Sequence, residues 1–263
     1  MDLDLDLALA TARRAVEAAA GASLPHFRRG VRVEVKPDRT PVTAADRDSE
    51  AAILDVLRAA FPAHAVLGEE TGTHAGATET RWIVDPIDGT RGFTRGGSFW
   101  GPLVALEHEG EIVAGAMGMP ALGETYWAAR GRGAFLARGG EAPVQLQVSG
   151  IRDWAESTLS LGEFRGLFTP ERERALVDLG SAAAQARCYG DLAGAAMVLL
   201  GRAEAWVEAG VKIWDIAPLK ILVEEAGGRF TDLAGRATVE SGNCLLSNGL
   251  VHGALLAALG RAP

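Results

Sequence analysis

Lysine is nearly absent from this chain: Lys36, Lys212 and Lys220 are its only three, among 26 Lys plus Arg in 263 residues. The positive charge is therefore almost all arginine, and no basic block forms. With a formal net charge of −8 and no alternation of aromatic and basic residues, the composition argues against DNA or RNA as a partner. Two cysteines, Cys188 and Cys244, are too few for a disulfide framework or a cysteine metal cluster. Five histidines are scattered without a His-Glu-x-x-His, which removes the usual basis for zinc hydrolysis. A Gly-x-Ser-x-Gly elbow, a P-loop and a full dinucleotide fingerprint are also missing. No run reaches the roughly 18 to 20 apolar residues needed to cross a bilayer, so no membrane association is expected. The acidic start MDLDLDLALATARR lacks the basic-then-apolar order of a secretory signal. These absences together predict a soluble, cytoplasmic protein.

What is present is an ordinary globular composition, 48% hydrophobic and 23% charged, long enough for one large domain or two halves sharing a core. Apolar positions repeat at helical spacing from about Leu5 to Arg28 and stop at Gly30. Val31–Val35 alternates as a strand with one buried face. Thr43 to Phe61 reads as a second helix, capped by Thr43 and closed by Pro62. Short β runs follow over residues 81–84, 101–106, 112–117 and 125–129. After Ser149 strands and helices alternate, with helices near 170–180, 191–200, 215–226 and 249–259. A shift in composition near 140–155 divides the chain into an α+β half, 1–145, and an α/β half, 146–263. The Gly/Thr-rich stretch Thr71–Thr80 is expected to be a mobile loop that closes over the site.

Four clusters bear on chemistry. Asp85-Pro86-Ile87-Asp88-Gly89-Thr90 puts two carboxylates at the end of a strand, where Pro86 fixes one φ and Gly89 lets the backbone double back. Both carboxylates and the Ile87 carbonyl can converge, an oxygen set suited to a hard cation such as Mg²⁺. The others are Gly68-Glu69-Glu70-Thr71, Trp214-Asp215, and Asp46 with Thr43 and Lys36. Taken singly, each also reads as a solvated turn, a polar loop, a helix cap or a surface lysine.

As an ordered set, the four clusters resemble the inositol monophosphatase-like superfamily of metal-dependent, lithium-sensitive phosphatases, over essentially the whole length. The resemblance implies a layered α+β / α/β sandwich, αβαβα, and a homodimer. It implies that Glu69, Asp85 and the Ile87 carbonyl hold one Mg²⁺, that Asp85, Asp88 and Asp215 hold a second, and that a third, weaker ion sits near Glu69 and Asp46. Mn²⁺ is expected to substitute and Li⁺ to inhibit. Thr90 and Asp46 would orient or deprotonate the attacking water, with Glu70, Thr43 and Lys36 in support. Gly89 and Thr90 would offer backbone N–H groups to the phosphate of a small phosphorylated metabolite.

Two segments bear on the substrate. Arg91-Gly92-Phe93 follows the Asp-Gly-Thr turn and is similar to the bacterial histidinol-phosphate phosphatase branch, where inositol-specific members more usually carry Thr-Asn-Phe. Asp191, with Glu208 across the pocket by family analogy, would make a negative subsite suited to the ammonium and imidazole of histidinol. Asp191 also reads as the N-cap of helix Leu192–Leu200. Histidinol-phosphate hydrolysis is therefore expected, with inositol-1-phosphatase or broad sugar-phosphate phosphatase activity as the alternative and an RNA-polymerase-associated binding role as the non-enzymatic one.

Overall fold

Strand Gly101–His108 buries both of its faces: Leu103 and Ala105 enter one core, Val104 and Leu106 another. A strand covered on both sides needs apolar residues at successive positions, hence its unbroken hydrophobic run. Arg81–Asp88 follows the same logic, with Ile83 on one side and Trp82 and Val84 on the other. The computed structural model describes residues 3–30, 33–36 and 41–260.

These two strands lie within an eight-stranded sheet in the order Val144–Gln145, Gly133–Arg138, Glu124–Ala129, Glu111–Met119, Gly101–His108, Arg81–Asp88, Ala65–Gly68, Gly72–His74. All neighbours are antiparallel except Ala65–Gly68 with Arg81–Asp88. Helices Leu5–Arg29 and Ala44–Ala60 cover one face, where Ala8, Ala12, Ala15 and Ala19 of the first are fully buried. The other face meets helices Asp191–Leu199 and Ile213–Glu225. Their far side packs on Trp206, Phe230 and Leu246 of a five-stranded sheet, ordered Gln185–Arg187, Thr158–Leu161, Ala205–Ala209, Asn243–Ser247, Arg229–Thr231. Helices Glu173–Ala182 and His252–Leu259 close its outer face over Leu159, Val207 and Leu245. The layering is αβαβα, as the resemblance implies.

Three local expectations change. Val31 and Arg32 lie outside the described residues, and the strand predicted there is a two-residue piece, Glu34–Val35, exposed at both residues and paired antiparallel with Pro41–Val42. Val35 is 70% exposed, so alternation here does not mark a buried face. Thr71–Thr80 is not wholly loop, because Gly72–His74 pairs with Ala65–Gly68 as the sheet's edge strand. Pro218 sits in the second turn of Ile213–Glu225 and removes the hydrogen bond to the Trp214 carbonyl. The last helix begins at His252, three residues late, because the Asn248 side chain ties down the N–H groups of Leu250 and Val251.

Candidate active site

On a regular strand, residues three apart point to opposite faces. Asp85 and Asp88 escape this because their strand is bulged: Asp85 pairs with Leu103 but Asp88 with Gly101, three residues against two. The Asp85 carboxylate accepts from the Ile87 N–H at 2.9 Å, which holds the turn around Pro86. Asp215 arrives from the other half of the chain as the third residue of helix Ile213–Glu225, its carboxylate accepting from the Lys212 N–H at 2.7 Å. Oxygens of Asp85, Asp88 and Asp215 then lie within 4.8 Å of one another.

Gathering three carboxylates raises their pKa values. Asp85 is pushed well up by burial, then by Glu69, Asp215 and Asp88. Asp88 is pushed up by burial, then by Asp215, Asp191 and Glu69. Asp215 rises to about 6, burial again leading, although the Lys212 N–H pulls the other way. The set is dense in hard oxygen donors and short of positive charge, which is the donor chemistry of a divalent-cation site.

Beside this cluster runs a hydrogen-bonded string. The Thr90 hydroxyl lies 2.9 Å from the Ile87 carbonyl and 3.3 Å from Asp46 Oδ1. Asp46 Oδ2 accepts from both the N–H and the hydroxyl of Thr43, each at 2.7 Å. The Thr43 oxygen in turn accepts from Ala45 N–H at 3.1 Å. This reciprocal capping box starts helix Ala44–Ala60 and also fixes Asp46. Asp46 is fully buried, and burial raises its pKa while the Thr43 hydrogen bonds oppose the shift.

Lys36 donates to Glu69 at 2.9 Å and to Glu70 at 2.5 Å. Burial disfavours its charge, but the Glu70 and Glu69 carboxylates outweigh burial and raise its pKa. Glu69 thus faces Lys36 as well as the aspartate cluster whose pKa values it raises. Burial raises Glu70, and Lys36 opposes it. Gly89 takes a left-handed φ of +75° at the start of the short helix Thr90–Thr94.

The cleft over these residues has a volume of about 330 Å³, and Asp191, Glu208 and Arg91 line it together with the aspartates. The cap reading of Asp191 fails: Gly190 is the N-cap, and Asp191 is the first helical residue, with a strained φ of +48°. Its carboxyl abuts the backbone of Gly89, and burial, then Glu163, raises its pKa. Glu208 is 5% exposed; its Oε1 accepts from the N–H groups of Glu163 and Ala209 at 2.7 and 3.0 Å. Burial leads in lifting it to about 7.

Sequence reading overlooked two residues. Glu163 lines the cleft with Asp191 and Glu208, and nothing local in the sequence marks it. Glu50, fully buried, holds the Glu69–Thr71 turn through its carboxylate. Its signal was available: it follows Asp46 by four residues on a helix face otherwise carrying Ala45, Ser49 and Ile53.

The five-layered sandwich and its cleft define a class of protein by architecture and by a carboxylate cluster that could hold a metal ion. Residues 4–262 match the inositol monophosphatase family, and the chain belongs to it. It is 40% identical to the histidinol-phosphatase of Mycobacterium tuberculosis over 259 residues, 97% of each chain. To the histidinol-phosphatase of Chlorobaculum parvum it is 40% identical over 99% of this chain and 98% of that one. The solved IMPase of Thermotoga maritima superposes with a TM-score of 0.81 at 31% identity, covering 98% of this chain and 96% of that one. The protein is a phosphoric monoester hydrolase. Among its described residues no helix is long and apolar enough to cross a membrane.

Proposed function

We propose that this enzyme hydrolyses L-histidinol phosphate to L-histidinol and phosphate with Mg²⁺ as cofactor. The observation that carries the substrate is a second set of carboxylates lining the cleft, those of Glu163, Asp191 and Glu208. A neutral polyol gains little from such a set, whereas a leaving group with an ammonium and an imidazole is attracted to it. The names of the relatives at 40% identity agree with this reading.

Asp85, Asp88 and Asp215, with Glu69 and the Ile87 carbonyl, are the residues that would hold the divalent cations. When bound, such ions supply Lewis acidity toward phosphoryl oxygens and lower the pKa of water. The chain's own part is to place the nucleophile. Thr90 has one hydroxyl proton and two acceptors in reach, Asp46 Oδ1 and the Ile87 carbonyl. A water facing Thr90 can pass its proton to the hydroxyl oxygen as Thr90 passes its own to Asp46. Burial makes Asp46 a stronger base than an exposed aspartate, and Thr43 keeps its second oxygen in place. Gly89, Thr90 and Arg91 line the same cleft, where the Gly89 and Thr90 N–H groups would meet the phosphate. No covalent phospho-enzyme is needed, so the phosphorus inverts.

The test is phosphate release from the purified enzyme with L-histidinol phosphate or inositol 1-phosphate, with and without Mg²⁺. A Mg²⁺-dependent preference for histidinol phosphate is expected. Preference for inositol phosphate overturns the substrate assignment and leaves the metal site standing. Solvent ¹⁸O incorporation with retention at phosphorus would contradict direct water attack.

A further inference from the structure

The turn that carries Glu69 and Glu70 is wrapped around one buried carboxylate. Gly68 pairs with Gly72 across it, leaving Glu69, Glu70 and Thr71 as a three-residue hairpin loop. The Glu69 N–H goes to the Val84 carbonyl at 3.1 Å, and the next two go to Glu50: Glu70 N–H to Oε2 at 2.9 Å, Thr71 N–H to Oε1 at 3.0 Å. The Thr71 hydroxyl also donates to Glu50 Oε1. Any Cβ on Gly68 would collide with that carboxylate, so glycine is what lets the backbone close on it. Burying a carboxylate is costly unless it is hydrogen-bonded, and here the bonds all come from the turn that must be positioned.

The chain of bonds does not stop at Thr71. His74 Nε2 lies 2.6 Å from the Thr71 oxygen, and His74 Nδ1 lies 3.4 Å from Arg58 Nη2. Arginine only donates, so Nδ1 accepts and Nε2 carries the hydrogen. The Thr71 oxygen then accepts from His74 and spends its own proton on Glu50. One direction satisfies every member: Arg58 to His74, His74 to Thr71, Thr71 to Glu50. The outer end opens into a cleft of about 590 Å³ beside helix Ala44–Ala60.

We infer that Arg58, His74, Thr71 and Glu50 form a positioning relay that fixes the Glu69–Glu70 turn and thereby sets the affinity of the cation site. None of the four touches substrate or reacting atoms; they are positioning residues, and the inference rests on the metal reading given above. Helix Ala44–Ala60 sets both sides of the site: Asp46 at its start reaches Thr90, and Glu50 one turn on holds Glu70 and Thr71 of the turn that carries Glu69. Outer partners of metal ligands are worth about 10- to 100-fold in affinity when removed.

The test titrates Mn²⁺ into the full-length protein and follows the free-ion signal by electron paramagnetic resonance, without substrate. Thr71→Val, which keeps shape but loses the hydroxyl, is expected to weaken binding about 10- to 100-fold, and Thr71→Ser to restore it. His74→Ala is expected to weaken it less, and His74→Gln, whose amide can accept from Arg58 and donate to Thr71, to recover it. Circular dichroism checks the fold; if Thr71→Val does not fold, the surface His74 pair decides. Folded Thr71→Val or His74→Ala protein binding Mn²⁺ as tightly as the parent overturns the relay. A parent protein that binds no Mn²⁺ overturns the metal reading itself, and the relay with it.

Discussion

Thr90 and Asp46 are 44 residues apart in the chain, yet the Thr90 hydroxyl lies 3.3 Å from Asp46 Oδ1. Asp46 is locked from behind by the Thr43 capping box, and Thr90 by the left-handed Gly89 that begins its turn. The pair therefore has one geometry. Replacing Asp46 with Asn is expected to lower kcat by about 10²- to 10⁴-fold, the usual range for a positioned general base, with little change in KM. Thr90→Ser should retain most activity and Thr90→Val very little. Steady-state kinetics at saturating Mg²⁺ measures both, and a Thr90→Val enzyme of normal kcat would rule out a proton path through this hydroxyl.

Gly162 has no room for a side chain because Glu208 occupies the space where its Cβ would be. Gly162→Ala should push the Glu208 carboxylate off the Glu163 and Ala209 N–H groups. Expected is a KM for histidinol phosphate raised by roughly tenfold, the scale of one lost charged contact, with a smaller change for inositol 1-phosphate. Equal losses on both substrates would show that Glu208 does not select the leaving group.

The aspartate cluster predicts an unusual stability profile without divalent cations. Glu208 at about 7 and Asp215 at about 6 lie above their unfolded values, as do Asp85 and Asp88. The folded state then binds more protons than the unfolded one, so stability falls as pH rises from about 4 to 7. In chelator, thermal melting should occur at a higher temperature at pH 6 than at pH 8, and Mg²⁺ should flatten the difference. Asp88→Asn, which removes one repelling charge, should melt higher than the parent in chelator while losing activity. A lower melting temperature for that variant would mean that the carboxylates do not repel as described.

His252 works in the opposite sense. It is fully buried, with its two ring nitrogens on Thr231 at 2.9 Å and Ser247 at 2.8 Å, and burial depresses its pKa to about 4. Only the unfolded chain takes up the proton between about pH 6.5 and 4, so this contribution to stability is lost as pH falls through that window. Against a His252→Gln variant, the advantage of the parent should shrink by about 2 kcal/mol from pH 7 to pH 5. Urea titrations at the two pH values give the comparison; a constant gap would mean that folding leaves the His252 pKa unshifted.

Much of the architecture could be read from local pattern. The long helix ending at Gly30, the Thr43 cap and the strand ending in Asp85 depend on neighbours a few residues away, and periodicity reports such neighbours well. Alternation misled at Val33 and Val35, because a two-residue strand alternates whether or not anything covers it. The Asp85–Thr90, Gly68–Thr71 and Trp214–Asp215 clusters were visible because each keeps its donors within six residues.

The sequence by itself determined the oxygen donors, the turn chemistry of Pro86 and Gly89, and the membership those motifs carry. Only the tertiary structure decided that a bulge turns Asp85 and Asp88 to one side, that Glu163 joins Asp191 and Glu208, and that Glu50 holds the Glu69 turn. The reason is physical. Local preferences follow from dihedral angles and capping, which the sequence spells out, whereas a carboxylate's partner and pKa depend on which distant segments bury it.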